Sequence, residues 1–309
     1  MRALACPASL KGVLSAPEAA AALAAGLRAG GAEAHELPVA DGGEGTADVL
    51  ALALGGEWQV ADVHDAFGAQ RRARWLLLPD RTAVLETAAA IPLDPARLDP
   101  FAASSRGFAE HVLAALAARP ASLLLCLGGT ATMDAGAGFL RLVRRLPVPA
   151  RAAWDVRASL LEAPALFGPQ KGAGPAEVTE LERRFAALEE LVLFQHKPGS
   201  GAAGGLGAAL VSCGATLEPG AALVLDALGF DASGFDLVVT GEGRVDRTTQ
   251  LGKAPGEVVK RAAGRRCVVF GGVVEEPVPG AETVALSGDP ARAREDLRAL
   301  GRDLVLKQH

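Results

Sequence analysis

Residues 236–246 constrain the fold of this chain most. Their first part, residues 237–240, is an apolar run typical of a buried strand, and two glycines then alternate with Glu242 and Arg244. In open α/β sheets, ligands bind outside the carboxyl ends of the strands. An apolar strand that delivers acidic and basic groups at its carboxyl end therefore predicts a ligand site on an α/β fold.

Strand and helix patterns alternate along the rest of the chain, which favours the α/β class. Residues 2–6 read as a first strand, and Ser15-Ala-Pro-Glu18 has the form of a capping box that opens a helix continuing to residue 29. Residues 122–127 form a continuous apolar run, as in a parallel sheet covered on both faces. Further strands are predicted at residues 32–37 and 267–270. Further helices are predicted up to residue 54, at 108–116, from 139 to about 145, at 178–188 and from 290 onward.

Residues 57–87 have a different pattern from the first part of the chain. Three strand candidates, at residues 57–63, 71–78 and 83–87, are joined by short turns, which indicates an antiparallel meander. We expect this meander to lie in a second, smaller domain. A chain of 309 residues is long enough for two domains, and we expect two lobes with a cleft between them.

Composition excludes several classes of function. The net charge of -5 argues against a nucleic-acid partner, and no apolar run is long enough to span a bilayer. No signal peptide is recognised at the N-terminus. The widely spaced cysteines predict buried core residues in a reducing cytoplasm, without a disulfide framework or a zinc site. The cysteines are Cys6, Cys126, Cys213 and Cys267.

Three further segments combine glycines with charged residues, at 39–46, 127–138 and 167–172. The second of them follows a predicted strand and precedes a predicted helix, so Gly128, Gly129 and Thr130 are expected to bind an anion at a helix N-terminus. Glycines at such turns also serve tight packing, and the two interpretations carry about even odds. Five glycines between residues 199 and 207, Gly204 and Gly205 among them, indicate close approach to a phosphate or to a neighbouring helix. The sequence leaves both alternatives open.

Six acidic residues stand out by their glycine-rich or apolar surroundings. They are Asp41, Glu44, Asp134, Asp155, Glu242 and Asp246. Single acids in loops are usually solvated caps, and Asp134 is a candidate helix cap. Carboxylates also hold Mg²⁺ through one or two direct bonds, and one of them could accept the proton of an attacking hydroxyl. These residues are therefore the candidate metal ligands and general base.

Five basic residues are candidates for binding phosphate or carboxylate groups. They are Lys11, Arg106, Lys171, Arg244 and Lys253. Each of the three lysines is adjacent to a glycine, so little side-chain bulk would keep a ligand from the charge. Phosphoryl transfer requires such positive charge on the phosphate oxygens, together with a metal and an acidic residue that orients the nucleophile. The four charged segments together favour a pocket for a phosphorylated ligand.

The motifs jointly resemble one family, the bacterial glycerate kinases of type I. The resemblance is carried by Pro38-Val-Ala-Asp-Gly-Gly-Glu-Gly-Thr46, Gly128-Gly-Thr-Ala-Thr-Met-Asp-Ala-Gly-Ala-Gly138, Phe167-Gly-Pro-Gln-Lys-Gly-Ala173, Gly201-Ala-Ala-Gly-Gly-Leu-Gly207 and Val239-Thr-Gly-Glu-Gly-Arg-Val-Asp246. It extends from the first strand to about Val273. The resemblance implies phosphorylation of D-glycerate, usually at the 2-hydroxyl, with ATP and Mg²⁺.

The resemblance also implies a domain organisation. We expect a Rossmann-like domain with a doubly wound parallel sheet, formed by residues 1–52, 105–145 and 216–309. A smaller α/β domain with the meander would comprise residues 53–104 and 146–215. A cytoplasmic monomer or homodimer is expected, with glycerate and ATP as small-molecule partners and with no nucleic-acid or membrane partner.

The roles expected on this basis fall into three groups. Asp155 is the residue expected to activate the hydroxyl, with Lys11 assisting at the catalytic centre and Asp134 as the competing candidate. The substrate- and phosphate-binding set is Arg106, Gly128, Gly129, Thr130, Lys171, Gly204, Gly205, Arg244 and Lys253. The Mg²⁺ set is Asp41, Glu44, Glu242 and Asp246.

Several positions depart from the family's pattern. Ala8, Met133 and Phe108 stand where the family has polar or smaller residues, and 157–159 lack the family's polar residues after Asp155. Such changes could reshape an acceptor pocket or impair catalysis. A kinase for another small hydroxy acid, and a non-catalytic protein that binds a nucleotide or metabolite, therefore remain alternatives to a glycerate kinase.

Overall fold

The computed structural model describes residues 1–307, and the chain divides into two compact units. Unit 1 comprises Met1–Asp41, Asp48–Ala53 and the chain from Ala221 onward, whereas unit 2 comprises Gly42–Ala47 and Leu54–Gly220. No helix within residues 1–307 combines the length and the apolar character that crossing a bilayer requires.

Unit 1 is built on a five-stranded sheet in which every pair of neighbours is parallel, in the order β11-β10-β9-β1-β2. The strands are β1 (Arg2–Ala5), β2 (Glu33–Glu36), β9 (Leu237–Val245), β10 (Arg266–Val274) and β11 (Glu282–Ala285). The helices are α1 (Ala16–Ala29), α2 (Thr46–Leu54), α9 (Gly220–Ala227), α10 (Ala254–Arg261) and α11 (Ala293–Leu306).

Helices cover both faces of the unit 1 sheet. On one face, Leu23 of α1 and Leu297 of α11 belong to the same buried cluster as Val239 of β9. On the other face, Val258 of α10 belongs to a cluster with Val238 of β9. Because successive strand residues point to opposite faces, a sheet buried on both sides needs continuous apolar strands, as the sequence predicted. The doubly wound α/β fold is confirmed for this unit.

The predicted start of α1 is confirmed in detail. The backbone N–H of Glu18 donates to the Ser15 hydroxyl at 3.4 Å, and the backbone N–H of Ser15 donates to the Glu18 carboxylate at 3.0 Å. These two bonds satisfy donors that the first turn of a helix leaves unpaired.

Unit 2 contains a six-stranded mixed sheet in the order β3-β4-β5-β6-β7-β8. Its strands are β3 (Glu57–His64), β4 (Gln70–Leu77), β5 (Thr82–Glu86), β6 (Ser122–Leu127), β7 (Ala150–Trp154) and β8 (Thr216–Pro219). Its helices are α3 (Thr87–Ala90), α4 (Arg106–Ala117), α5 (Ala137–Leu140), α6 (Ala163–Phe167), α7 (Pro175–Ala186) and α8 (Leu206–Ser212). The β3-β4-β5 part is the predicted antiparallel meander, and the strands from β5 to β8 are parallel.

Residues 42–47 and 216–220 belong to unit 2 and not, as predicted, to the Rossmann-like part of the chain. The largest difference from the predicted division is the segment 105–145. This segment belongs to unit 2, because β6 is hydrogen-bonded between β5 and β7. Unit 2 is consequently the larger of the two, although the sequence predicted the meander in a smaller domain. An apolar run shows that a strand is buried, but it does not show which strands are its neighbours.

Two elements also differ from their predicted extent. The helix after Gly138 was expected to reach about residue 145, but α5 ends at Leu140. The strand that begins at residue 237 was predicted to end at residue 240, whereas β9 continues to Val245, with Glu242 paired to Gly271 of β10.

The four cysteines are buried free thiols, which confirms their interpretation as core residues. Burial raises the pKa of Cys6, Cys213 and Cys267 above the ordinary thiol value. Thiols held in their protonated form are poor nucleophiles and poor metal ligands. The cysteines therefore contribute packing.

His111 of α4 is an unusual member of the unit 2 core. Its side chain is fully buried, it lies edge-on to the Phe108 ring, and neither of its ring nitrogens has a hydrogen-bond partner among residues 1–307. Burial lowers the pKa of His111 to about 4 because the charged imidazolium is poorly solvated there. His111 is consequently neutral in the folded protein at physiological pH.

We expect His111 to make the protein acid-sensitive. As the pH falls through about 6.5, the unfolded chain takes up a proton that the folded chain takes up only near pH 4, so the free energy of unfolding decreases across this window. The loss amounts to about 2–3 kcal/mol at pH 4.5. Urea unfolding of wild type and His111→Leu at pH 7.5 and 4.5 measures it. An equal loss in both proteins would contradict this origin.

Candidate active site

Three parallel strands of unit 2 end in acidic residues or glycines at one edge of the sheet. β5 ends at Glu86, β6 runs into Gly128 and Gly129, and β7 runs into Asp155. The strands end at the same level, since Glu86 pairs with Cys126 and Leu127 pairs with Trp154. The carboxyl edge of a parallel sheet is the usual place for a ligand.

The glycine segment 42–45 lies against this edge of the unit 2 sheet. A Cβ built on Gly42 would lie 2.8 Å from the Ala153 Cβ and 2.6 Å from the Gly220 Cα, so only glycine fits there. Gly42 also has a φ of +85°, a left-handed conformation that glycine adopts without strain. The next helix is held by the backbone N–H of Ala47, which donates to the Glu86 carboxylate at 2.7 Å.

Two carboxylates flank the Gly128–Gly129 pair. The Asp155 Oδ2 atom lies 3.3 Å from the position that a Cβ on Gly128 would take, and the Glu44 Oε2 atom lies 3.5 Å from the corresponding position on Gly129. Any side chain on either glycine would therefore meet a carboxylate. Glu44 is exposed and Asp155 is half-buried, so a ligand that reaches the pair meets both charges.

The Thr87 hydroxyl holds Gly128 in place through hydrogen bonds. It accepts a hydrogen bond from the Gly128 N–H at 3.1 Å, and its oxygen lies 2.9 Å from the Gly128 carbonyl and 3.1 Å from the Cys126 carbonyl, to which it can donate. Thr87 is fully buried. Thr87 was not among the predicted site residues, although it is the last residue of the predicted strand 83–87.

Lys171 places a positive charge within electrostatic reach of Asp155 and Asp134. Its ammonium group is buried and donates to the Thr132 carbonyl at 2.9 Å and to the Thr130 hydroxyl at 3.4 Å. Burial lowers the pKa of Lys171 to about 7, against the opposing influence of the Asp134 and Asp155 carboxylates. We call Glu44, Gly128, Gly129, Asp155 and Lys171 the strand-end site.

Asp134 has a structural role that separates it from Asp155. One of its carboxylate oxygens accepts from the backbone N–H and the hydroxyl of Ser105, both at 2.8 Å, and from the Gly138 N–H at 3.0 Å; the other accepts from the Gly136 N–H at 3.1 Å. The geometry supports the capping interpretation of Asp134. Asp155 stays the predicted base.

The glycines between residues 199 and 207 are explained by packing within unit 2. A Cβ on Gly204 would lie 1.8 Å from the Thr132 carbonyl oxygen, and one on Gly205 would lie 2.8 Å from the Ala135 Cα. Both glycines are buried, so they bring a neighbouring backbone close to the loop after β6. Of the two alternatives that the sequence left open, packing accounts for them, and we do not include Gly204 or Gly205 in the site.

A second charged cluster lies in unit 1. The Glu242 carboxylate accepts from the Thr249 hydroxyl at 2.8 Å and from the Lys253 ammonium at 3.2 Å. Burial raises the pKa of Glu242, and the like charge of Asp41 adds to this, whereas Lys253 and Thr249 oppose it. We call Asp41, Glu242, Thr249 and Lys253 the unit 1 cluster.

The unit 1 cluster lies where the strand order of its sheet reverses. β1 and β9 are neighbours, β2 lies beyond β1, and β10 and β11 lie beyond β9. Such a switch point opens a crevice at the carboxyl ends of the two central strands. Lys11 comes from the exposed turn after β1, and its backbone N lies 3.6 Å from the position of a Cβ on Gly243 of β9. Lys11 was a predicted site residue, and Gly243 lies within residues 236–246, which were predicted to bind a ligand.

Of the remaining predicted residues, Arg106 and Arg244 have partners outside these two groups, whereas the backbone N–H of Asp246 donates to the Thr249 hydroxyl of the unit 1 cluster at 3.1 Å. Arg106 is exposed and paired with Glu110 at 2.9 Å, and Arg244 is exposed and paired with Glu275 at 2.5 Å. Asp246 caps the 3₁₀ turn Arg247–Leu251, because its carboxylate accepts from the backbone N–H of Thr248 at 2.7 Å. Their predicted contacts with phosphate or metal stay predictions.

The predicted Mg²⁺ ligands divide between the two units. Glu44 belongs to unit 2, and Asp41, Glu242 and Asp246 belong to unit 1. Within residues 1–307, no three His, Cys, Asp or Glu side chains form a group that could hold a metal ion. Mg²⁺ at phosphates commonly uses only one or two carboxylates, so Asp41 and Glu242, which influence each other's charge, fit this requirement best.

Three of the departures from the family's pattern are single buried residues, whereas the fourth, residues 157–159, includes the exposed Arg157. Ala8 is 8% exposed, Met133 is 2% exposed, and Phe108 is fully buried against Phe139. Met133 and Phe108 belong to the apolar core of unit 2. These side chains therefore contribute to packing in this protein.

Carboxylates and lysines at the glycine-rich strand ends of two α/β units define the class of protein, an enzyme that acts on small charged ligands. Comparison with known proteins specifies the family. The sequence profile of the Glycerate kinase family matches residues 3–144 and 141–288. The chain belongs to the glycerate kinase family and is a kinase.

Individual relatives agree with this assignment. The chain is 34% identical to the glycerate 2-kinase of Escherichia coli (strain K12), over 82% of this chain and 80% of the relative. It is 35% identical to the glycerate kinase of Bacillus subtilis (strain 168), over 88% of this chain and 84% of the relative. A crystal structure assigned to glycerate kinase 2 of Salmonella typhimurium LT2 matches with a TM-score of 0.82 and 30% identity, over 100% of this chain and 98% of that one.

Proposed function

We propose that this protein transfers the γ-phosphoryl group of ATP to D-glycerate, with the 2-hydroxyl as the acceptor and Mg²⁺ as the metal. The observation that carries the proposal is the strand-end site, where Asp155 and Glu44 lie on either side of the Gly128–Gly129 pair and Lys171 is within electrostatic reach of Asp155. The family and the names of the relatives support the choice of acceptor.

In this proposal Asp155 is the general base. Its carboxylate accepts the hydroxyl proton of glycerate, while the glycerate oxygen forms a bond to the γ-phosphorus and the bond from that phosphorus to the ADP oxygen breaks. The reacting phosphoryl group is negatively charged, so the backbone N–H groups around Gly129 and Thr130 stabilise its oxygens. Positioning and charge, more than covalent chemistry, carry catalysis of this kind.

The unit 1 cluster is assigned to the nucleotide's phosphates and metal. Asp41 and Glu242 would hold Mg²⁺, and the Lys253 ammonium, now bonded to Glu242, supplies positive charge for a phosphate oxygen. Mg²⁺, when bound, would neutralise charge on the phosphate oxygens. Lys11, exposed on the turn after β1, is the further candidate for a phosphate contact.

Phosphorus NMR of the reaction mixture tests this function. Purified protein with ATP, Mg²⁺ and D-glycerate is expected to produce 2-phosphoglycerate, and the mixture without glycerate is expected to show no comparable loss of ATP. Formation of 3-phosphoglycerate would correct the position of transfer. Turnover only with other hydroxy acids would change the acceptor, and ligand-induced thermal stabilisation without turnover would replace the kinase by a binding protein.

A further inference from the structure

Lys171 differs from every other charged residue of the described chain. Among residues 1–307 it is the only Asp, Glu, Lys or Arg that is buried, with 4% of its surface exposed. Its backbone ends the 3₁₀ turn Pro169–Lys171, and the following Gly172 adopts a φ of +98°. A buried charge is costly and is retained only where partners compensate it.

The ammonium group reaches the loop that follows β6. It donates to the Thr132 carbonyl at 2.9 Å and to the Thr130 hydroxyl at 3.4 Å, so it attaches to the loop two and four residues after Gly128. The same Thr132 carbonyl is the atom against which Gly204 packs. Lys171 therefore holds the Gly128–Thr132 loop in a fixed position relative to the end of β6.

Two carboxylates act on the charge of Lys171, those of Asp134 and Asp155. Asp134 is engaged by four hydrogen-bond donors and serves as a cap. Asp155 is the proposed base, and its charge changes when it accepts a proton. The protonation of Lys171 is thus coupled to the one carboxylate whose charge the reaction alters.

Direct contact between Lys171 and a phosphate, which the sequence predicted, agrees poorly with this burial. The ammonium is directed to a backbone carbonyl and a buried hydroxyl. A purely structural lysine is also a poor explanation, because an apolar side chain of similar length would avoid the desolvation of the charge.

We propose that Lys171 is a positioning residue for phosphoryl transfer: its buried ammonium holds the Gly128–Thr132 loop and acts electrostatically on Asp155 so that this carboxylate is placed and charged to accept the proton of the acceptor hydroxyl. The inference rests on the proposed function. It adds that the positive charge at position 171 is required for the chemical step and not for folding.

The variants Lys171→Met and Lys171→Arg test this inference, with Lys197→Met, an exposed lysine of the same unit, as the matched control. Lys171→Met is expected to lower kcat at least about 100-fold with little change in the KM for glycerate. Its Tm is expected to stay within about 3 °C of wild type or to rise, because the cost of burying the charge disappears. Lys197→Met is expected to behave as wild type.

The pH profile separates a charge effect from a shape effect. Wild-type kcat is expected to decline as the pH rises above about 7, where Lys171 loses its proton. Lys171→Arg keeps its charge throughout this range, so the decline is expected to move to higher pH and the activity to exceed that of Lys171→Met. If a variant does not fold, the pH dependence of wild-type kcat alone tests whether activity depends on the charge of Lys171.

Three results would overturn the inference: kcat of Lys171→Met within about threefold of wild type, a parallel loss of Tm and activity, or a folded Lys171→Arg that is no more active than Lys171→Met. A wild-type protein that makes no phosphoglycerate would instead refute the proposed function itself. The two failures are therefore distinguishable.

Discussion

Replacement of Asp155 by Asn is expected to reduce kcat about 1000-fold, the range that a positioned general base contributes. The amide has the same shape as the carboxylate but cannot take a proton from the acceptor hydroxyl. Because Asp155 is half-buried at the end of β7 and the substitution conserves its volume, the Tm is expected to change by less than about 3 °C. Steady-state kinetics with D-glycerate and a thermal unfolding scan measure both effects.

Asp134→Asn is the control that separates chemistry from structure. Both residues are acids next to glycine-rich segments, but the Asp134 carboxylate accepts four hydrogen bonds. The Asn amide keeps only one acceptor oxygen, so at least one of these hydrogen bonds is lost. We therefore expect the free energy of unfolding to fall by about 1–3 kcal/mol. If Asp134→Asn lost activity at unchanged stability while Asp155→Asn remained active, the two roles would have to be exchanged.

Replacement of Gly204 by Ala is expected to destabilise unit 2 by more than about 3 kcal/mol. Gly204 has a φ of +68°, and the added methyl group would lie 1.8 Å from the Thr132 carbonyl oxygen. The new Cβ is fixed to the backbone and the Thr132 oxygen is a backbone atom, so no side-chain rotation relieves the clash. The backbone after β6 therefore has to move. Because Lys171 donates to the same carbonyl, the displacement is expected to lower kcat as well. Urea unfolding and kinetics of the variant test both expectations.

Gly214→Ala provides the matched control for Gly204→Ala. Gly214 also has a positive φ, of +100°, but a Cβ built on it meets no described atom within 4 Å. The Gly214→Ala substitution is therefore expected to cost only the strain of placing Ala at a positive φ, about 1–2 kcal/mol. Equal destabilisation by the two substitutions would show that backbone conformation, and not contact with the loop, determines the requirement for Gly204.

The arrangement of elements was largely predictable because local patterns determine it. Apolar runs such as residues 122–127 formed buried strands, and the Ser15–Glu18 capping box started α1. The neighbours of a strand were not predictable in the same way. Residues 105–145 were expected with the Rossmann-like sheet, and their place beside β5 and β7 depends on pairing between residues far apart in the chain.

The candidate site was predictable in its residue types and less so in their roles. Asp134 and Asp155 look equivalent in sequence, and the difference between them comes from Ser105, which lies 29 residues before Asp134. The sequence placed Lys171 near a ligand, but its burial arises from the tertiary structure. Gly204 likewise could not be assigned to phosphate or packing until the position of Thr132 was known.

A crystal structure with D-glycerate and a non-hydrolysable ATP analogue tests the strand-end site most directly. We expect the 2-hydroxyl oxygen of glycerate within about 3.2 Å of an Asp155 carboxylate oxygen, the distance that proton transfer requires. The glycerate is expected beside the Gly128–Gly129 backbone. Glycerate bound elsewhere, with Asp155 out of hydrogen-bond reach of either hydroxyl, would contradict this account.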